Sequence, residues 1–208
     1  MLTANVVAAI DEPPSEHGQT DRGPAKYFSQ WRAALTFRSR QHPLLFGLVT
    51  RESSIMSSAE SRLADLGIEL PKPVAPVANY DPFIVVDHIV YISGQISLSP
   101  DGLITGKLGS DLSVEEGVAA ARICGINLLS QLKVACGGEL SRVRKVIKLG
   151  GFVNCTPDFF DQPKVINGTS DLMVAVFEDA GRHARAAVGA PSLPLNASVE
   201  VDGIFEIS

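Results

Sequence analysis

ARAAVGAPSLPLNASVEVDGIFEI, residues 184–207, reads as two strands at the end of the chain. In the second, Val199, Val201, Ile204, Phe205 and Ile207 are separated by Glu200, Asp202 and Glu206. That near-alternation belongs to a strand with one apolar and one polar side. In the first, small apolar residues surround a single cation, Arg185.

Upstream of this tail, a helix is expected from about Pro163, suited to a first helical position, to Phe177, with Gly181 beyond its end. Before it, VRKVIKLGGFVN alternates Val143, Val146 and Leu149 with charges as a half-exposed strand does, and Gly150-Gly151 suggests a bulge. The clearest helix starts at Ser113, where Ser113 and Glu116 form a capping box. Val114, Val118, Ala121, Gly125, Leu128 and Leu132 follow at steps of three and four, and Gly137-Gly138 ends the run. Small Ala121 and Gly125 are expected to let this helix lie close to a sheet. Earlier still, PFIVV-DH-IVYIS reads as a hairpin closed by Gly94, with a further turn at Pro100-Asp101-Gly102. A short helix, SAESRLADLG, capped by Ser58 or Ser61 and ended by Gly67, precedes the extended, proline-rich LPKPVAPVANY.

The order is strands, helix, strand, helix, two strands, with no internal repeat. Two helices cover one face of such a sheet, so the fold class is α+β and an apolar sheet face is left over. Packing against another copy covers it at least cost, so a homo-oligomer is expected.

Composition changes near Met56. Residues 1–55 show no sustained period, and their first half is rich in Pro, Gly, Glu and Asp, which reads as a disordered extension before a domain at 56–208. A short amphipathic helix from Trp31 to Arg40 is conceivable there. Two readings of the segment stay open: an extension upstream of a natural start at Met56, or a weak transit segment. Acidic Asp11, Glu12, Glu16 and Asp21 count against the second. The expected location is cytoplasmic, or mitochondrial if residues 1–55 are a transit segment.

The 208 residues are 45% hydrophobic and carry a formal net charge of −5, enough for one filled core but unlike a nucleic-acid binder, which needs a Lys/Arg surplus. The apolar runs stop short of the ~20 residues of a membrane span, so no membrane partner is expected. Cys124, Cys136 and Cys155 have no metal-site spacing and read as buried thiols in a reducing compartment.

From about Leu70 to Ile207 the chain resembles the Rid (reactive intermediate deaminase, YjgF-type) family, which also carries the older label endoribonuclease L-PSP. The resemblance rests on four segments. These are Tyr80 with the hairpin ending Ser93-Gly94-Gln95; Asp111 with the capped helix after it; VIKLGGFVN with Asp158-Phe159 and Asn167; and Ala184-Arg185, Leu193-Pro194 and Val199-Glu200 in an ungapped AR…LP…VE pattern. It implies a chorismate-mutase-like fold, a homotrimer with a barrel-like core, and sites in the clefts between subunits. The implied activity is hydrolysis of 2-iminopropionate and related 2-imino acids to a 2-oxo acid and ammonia.

Within that resemblance Arg185 is the expected carboxylate binder, because a guanidinium fork meets a carboxylate in two charge-assisted bonds. Glu200 matches the carboxylate that orients water and handles its proton. Tyr80 closes the pocket from a neighbouring subunit, while Asn167, Ala187 and the backbone near Ser93 and Gly94 line it. His183, two residues before Arg185, is read as a structural neighbour rather than a base. A protonated imine is already electrophilic, so neither metal nor other cofactor is expected.

Ala187 stands where many members have Cys, which removes a thiol from the pocket. The stretch between Asp158 and Phe177 is longer than in familiar members, and LPLNASVE lacks the Lys common after LP. These departures indicate a divergent subgroup and leave the imine's identity open. Two rival readings remain: a non-catalytic binder of small carboxylates, and a translation-inhibiting endoribonuclease, which the acidic balance disfavours.

Overall fold

The structure, a computed structural model, describes residues 58–73 and 80–208, all within one unit, Ser53–Ser208. The expectations for residues 1–55, the Trp31 to Arg40 helix among them, lie outside the described residues. Along the chain run α1 (Ala59–Asp65), β1 (Phe83–Val86), β2 (Ile89–Ile96), β3 (Leu98–Ser99), β4 (Gly102–Leu103), α2 (Val114–Ala135), β5 (Val143–Asn154), α3 (Gln162–Phe177), β6 (Ala184–Ala190) and β7 (Val199–Ile207). The main sheet has the order β1-β2-β7-β5-β6, antiparallel except for the β5–β6 pair. The fold is α+β, as the element order required.

Local chemistry explains the elements. Ser58 caps α1 by accepting from the Ser61 N–H. Both halves of the Ser113–Glu116 capping box form, at 3.2 and 2.8 Å, and they hold the Glu116 carboxyl below its usual range. At the far end of α2, Gly137 and Gly138 take φ of 71° and 103°, where a side chain would be strained. α3 carries its proline in the first turn.

The helices pack on one face. Along β7 the buried Val199, Val201, Phe205 and Ile207 meet Leu128, Leu132, Ile166, Leu172 and Met173. Burying each such side chain contributes about 1.5–3 kcal/mol. On the other face, among the described residues, no helix covers the row Ile84–Tyr91–Ile204, which crosses three strands with Ile84 and Tyr91 exposed.

Three expectations need correcting. First, Gly150-Gly151 is not a bulge: both pair in register with Asp202 and Val201, and the irregularities fall at Val143/Lys145 and Val146/Lys148. The glycines instead provide clearance, since a Cβ on Gly151 would come within 2.6 Å of Ile166 and one on Gly150 would overlap the Asp202 carboxylate. Second, Gly125 faces α3 rather than the sheet; a Cβ there would meet Thr169 and Leu172. The Thr169 hydroxyl donates to the Ala121 carbonyl at 2.5 Å, and Gly168 lies directly against the α2 backbone. The small residues therefore set the spacing of two helices. Third, α2, with 22 residues and an 18-residue window of mean hydropathy 1.2, is long and apolar enough to span a membrane by composition, although half of that window is buried inside the fold.

Candidate active site

Arg185 stands on edge strand β6 beside Leu149 of β5, and Leu149 is wholly buried beneath the helices. Neighbours in register point to the same side, so Arg185 leaves the sheet on its helix side. There its Nη1 donates to Asn167 Oδ1 at 2.8 Å and to Ser170 Oγ at 3.1 Å. Asn167 and Ser170 are three apart on α3, the spacing that puts both on one helix face. Ala187 follows Arg185 on the same side of β6, half-buried and beside Gly151. A thiol does reach this strip, though not at 187: Cys155 Sγ is buried and would lie 2.8 Å from a Cβ on Gly189.

Glu200 lies on the opposite face. On β7 it alternates with buried Val199 and Val201, and it pairs with Ile96 of β2 and Phe152 of β5. Its carboxylate folds over Gly94, where any Cβ would overlap Oε1. Burial holds the Glu200 carboxyl above its usual range, and the adjacent Asp202 charge adds to the shift. Asp202 is raised by its own burial, against the opposing effects of the Gly150 N–H and the Lys148 charge.

Tyr80 and Gly94 line a cavity of about 440 Å³ together with Gln95, Asn127 and Leu195. Tyr80 is half exposed. Ser93 is engaged elsewhere: its Oγ donates to the Asp81 carbonyl at 2.9 Å and its N–H to the Pro82 carbonyl at 3.0 Å. Ser93 thus ties the segment after Tyr80 to β2.

The link between β6 and β7 is clamped by Asn154. This buried amide donates to Asn196 Oδ1 and to the Ala197 carbonyl, both at 3.2 Å, and accepts from Lys107 Nζ at 2.7 Å. Lys107 Nζ also donates to the Pro191 carbonyl. Leu195 and Asn196 are held there at φ of 56° and 57°, a region that L side chains seldom occupy.

One chain therefore forms two groups. Arg185, Asn167 and Ala187 meet on the helix side of the edge strand. Glu200 and Gly94 meet on the open face, with Tyr80 and Ser93 close to Gly94. The chain does not bring Arg185 to Glu200. Two further residues join the groups without having been singled out from sequence: Ser170 and Asp202. Their signals were spacings, Asn167 to Ser170 at i, i+3 on a helix and Glu200 to Asp202 at i, i+2 on a strand. Among the described residues no three His, Cys, Asp or Glu side chains gather as metal ligands.

The family described as "YjgF/chorismate mutase-like, putative endoribonuclease" matches residues 60–206. The chain belongs to this family. Among similar proteins, Protein TCP17 of Trypanosoma cruzi is 45% identical over 150 residues, spanning 71% of this chain and 93% of that protein. The crystal structure of Atu1372, a protein of unknown function from Agrobacterium tumefaciens, is 47% identical with a TM-score of 0.68, over 72% of this chain and 93% of that one. The 2-iminobutanoate/2-iminopropanoate deaminase of Rattus norvegicus is 27% identical over 137 residues, 66% of this chain and 86% of that enzyme. The family and its α+β fold are thus in place, and a more distant YjgF relative bears the name of an imine deaminase.

Proposed function

We propose that this YjgF-family chain hydrolyses 2-imino acids to 2-oxo acids and ammonia, at sites that two copies complete together. The observation that carries the reading is the separation of its two charged groups. A guanidinium anchored on α3 suits a substrate carboxylate, and a half-buried carboxylate with a raised pKa suits proton transfer. They lie on opposite faces of one sheet, so a second copy against the uncovered row Ile84–Tyr91–Ile204 offers a way to bring one chain's Glu200 to another's Arg185. A homotrimer, as the family resemblance implies, satisfies this with three equivalent contacts.

The steps follow from the groups. Arg185 binds the carboxylate of the protonated imine through its remaining N–H groups, with Asn167 fixing Nη1. Glu200, ionised, takes a proton from water as the oxygen adds to the imine carbon and the C=N π pair moves to nitrogen. The same proton returns to nitrogen, the C–N bond breaks and ammonia leaves, while the hydroxyl proton passes to the again ionised Glu200, and from it to ammonia or solvent, as the 2-oxo acid forms. No redox partner is needed.

The test is release of ammonia and 2-oxo acid from 2-iminopropionate generated in situ by an amino-acid oxidase. Wild type is expected to exceed the buffer rate, with Arg185→Ala and Glu200→Gln losing the gain. A wild-type rate equal to buffer across several imino acids would overturn the catalytic reading.

A further inference from the structure

Arg185 does not reach Asn167 alone. Its Nη1 is shared with Ser170 Oγ at 3.1 Å, and Ser170 Oγ in turn lies 3.0 Å from His183 Nε2. His183 Nδ1 sits 2.6 Å from the Gly181 carbonyl oxygen. These three contacts have only one consistent proton arrangement for a neutral imidazole. A carbonyl oxygen only accepts, so Nδ1 carries the hydrogen and Nε2 is left as an acceptor. Nε2 therefore accepts a hydrogen bond from the Ser170 hydroxyl, and the Ser170 lone pairs turn toward the Arg185 guanidinium. The chain of donors runs Arg185 to Ser170 to His183, and separately His183 to the Gly181 backbone.

We propose that Ser170 and His183 are positioning residues for Arg185, and that this relay, with Asn167, fixes one guanidinium nitrogen so that the rest of the fork faces the substrate carboxylate. The proposal rests on the carboxylate-anchor role given to Arg185 above. Its physical need is clear from the setting. Arg185 is an exposed residue on an edge strand, and a long flexible side chain there would lose rotamer entropy on binding. Two acceptors from one helix face hold Nη1 before the ligand arrives. Among the described residues, no other group accepts from this guanidinium. Both acceptors converge on a single nitrogen, which leaves Nη2 and Nε for a bidentate partner. Ser170 without His183 would be free to rotate its proton toward Arg185 and turn from acceptor to competing donor. His183 removes that state.

The relay makes a distinction that a packing role would not. It acts on the binding of the carboxylate, whereas proton transfer belongs to Glu200 on the other face. Ser170→Ala and His183→Leu are therefore expected to raise KM for 2-iminopropionate about tenfold, the usual effect of one hydrogen bond to a charged group, with kcat within about twofold of wild type. Ser170→Thr keeps the hydroxyl and His183→Gln keeps an acceptor, so each should recover most of the wild-type KM. The same four variants are also titrated with 2-oxobutanoate, a non-reacting carboxylate, and their thermal unfolding is recorded. Weakened binding in Ser170→Ala and His183→Leu, recovery in the conservative pair and unchanged Tm is the expected pattern. If Arg185→Ala abolishes 2-oxobutanoate binding while Ser170→Ala leaves it unchanged, the relay is wrong and the anchor role stands. If the Thr and Gln variants stay as weak as Ala and Leu, the relay is likewise overturned. If wild type turns over no imine but binds 2-oxobutanoate through Arg185, the catalytic reading fails and the relay is judged on binding alone. Absence of any binding overturns both.

Discussion

The two half-sites solve opposite problems. On the helix side of β6 a permanent cation must be kept still, and the fold does this with hydrogen-bond acceptors: Asn167 and Ser170 on one face of α3. On the open face the Glu200 carboxyl is held by enclosure. Gly94 makes room for the Glu200 carboxylate against β2, Gly150 does the same for Asp202 against β5, and both carboxyls titrate high because they are partly buried. Orientation calls for partners, whereas proton affinity calls for removal of water. The same small sheet supplies both because its two faces have different neighbours.

The sharpest way to break this contrast is to disable each half in turn. Arg185→Ala should lower kcat/KM for 2-iminopropionate by about a thousandfold, since it removes a bidentate, charge-assisted contact. Glu200→Gln should lower kcat by about a hundredfold or more with KM little changed, as loss of a proton-transfer group does. If the halves come from different copies, refolding the two inactive variants together at equal amounts should restore about a quarter of wild-type activity, because a random closed ring pairs an intact cation half with an intact carboxylate half at that frequency. A mixture as inactive as its components would place both halves of each site in one copy, against the geometry of the sheet.

Glycine substitutions sharpen the comparison further. Gly94→Ala sets a methyl group against the end of the flexible Glu200 side chain, which can swing away. Activity should fall about tenfold with Tm nearly unchanged, because the damage is to a functional orientation. Gly168→Ala is the counterpart on the helix side. Its Cβ would press on the Val118 carbonyl, with the Arg122 nitrogen 3.0 Å away, and backbone cannot swing. Even after the better helix propensity of Ala, about 2 kcal/mol of stability should be lost, a fall in Tm of roughly 6 °C, readable by calorimetry. Equal stability losses in the two variants would mean that clearance at Gly94 is structural too.

Much of this layout was legible in the sequence, and the parts that were not share one cause. The Ser113–Glu116 box, Pro163, the hairpin and the alternation along residues 199–207 are local signals, and each names an element without reference to anything distant. A period of two states which residues of a strand share a side, yet it does not say which side a neighbouring strand's residues take. β6 and β7 are neighbours in sequence but not in the sheet, with β5 between them. Hence Arg185 and Glu200 could be singled out together without the sequence revealing that they face apart. Gly150-Gly151 misled for a related reason: a glycine pair in a strand signals that something comes close, and only the tertiary structure shows Ile166 and Asp202 to be those neighbours rather than a bulge. Gly125 and Ala121 likewise promised a close approach without naming α3 as the partner. Ser170 was invisible because a serine within a helix carries no signal until His183 and Arg185 are folded against it.

The smallest expected effect concerns the Asp202 charge. Burial is the larger reason that the Glu200 carboxyl lies high, and the neighbouring Asp202 is the lesser one. Asp202→Asn removes only the lesser, so the Glu200 pKa should fall part of the way toward the ordinary carboxylate range. In the proposed mechanism Glu200 acts ionised when water adds, so the acid limb of the kcat–pH profile should move to lower pH, while kcat near neutrality stays within about twofold. Stability follows with a definite sign. A carboxyl whose folded-state pKa is raised adds stability below its ordinary pKa and loses that contribution as pH rises through the raised value. The loss as pH rises from the ordinary carboxylate range through the raised value should therefore be smaller in Asp202→Asn than in wild type, measured as Tm at each pH, and smaller again in Asp202→Asn combined with Glu200→Gln. An acid limb that moves upward instead would mean that Asp202 supports the ionised Glu200, for example through a shared water, and the carboxylate half would then depend on a hydrogen-bond partner just as the Arg185 half does.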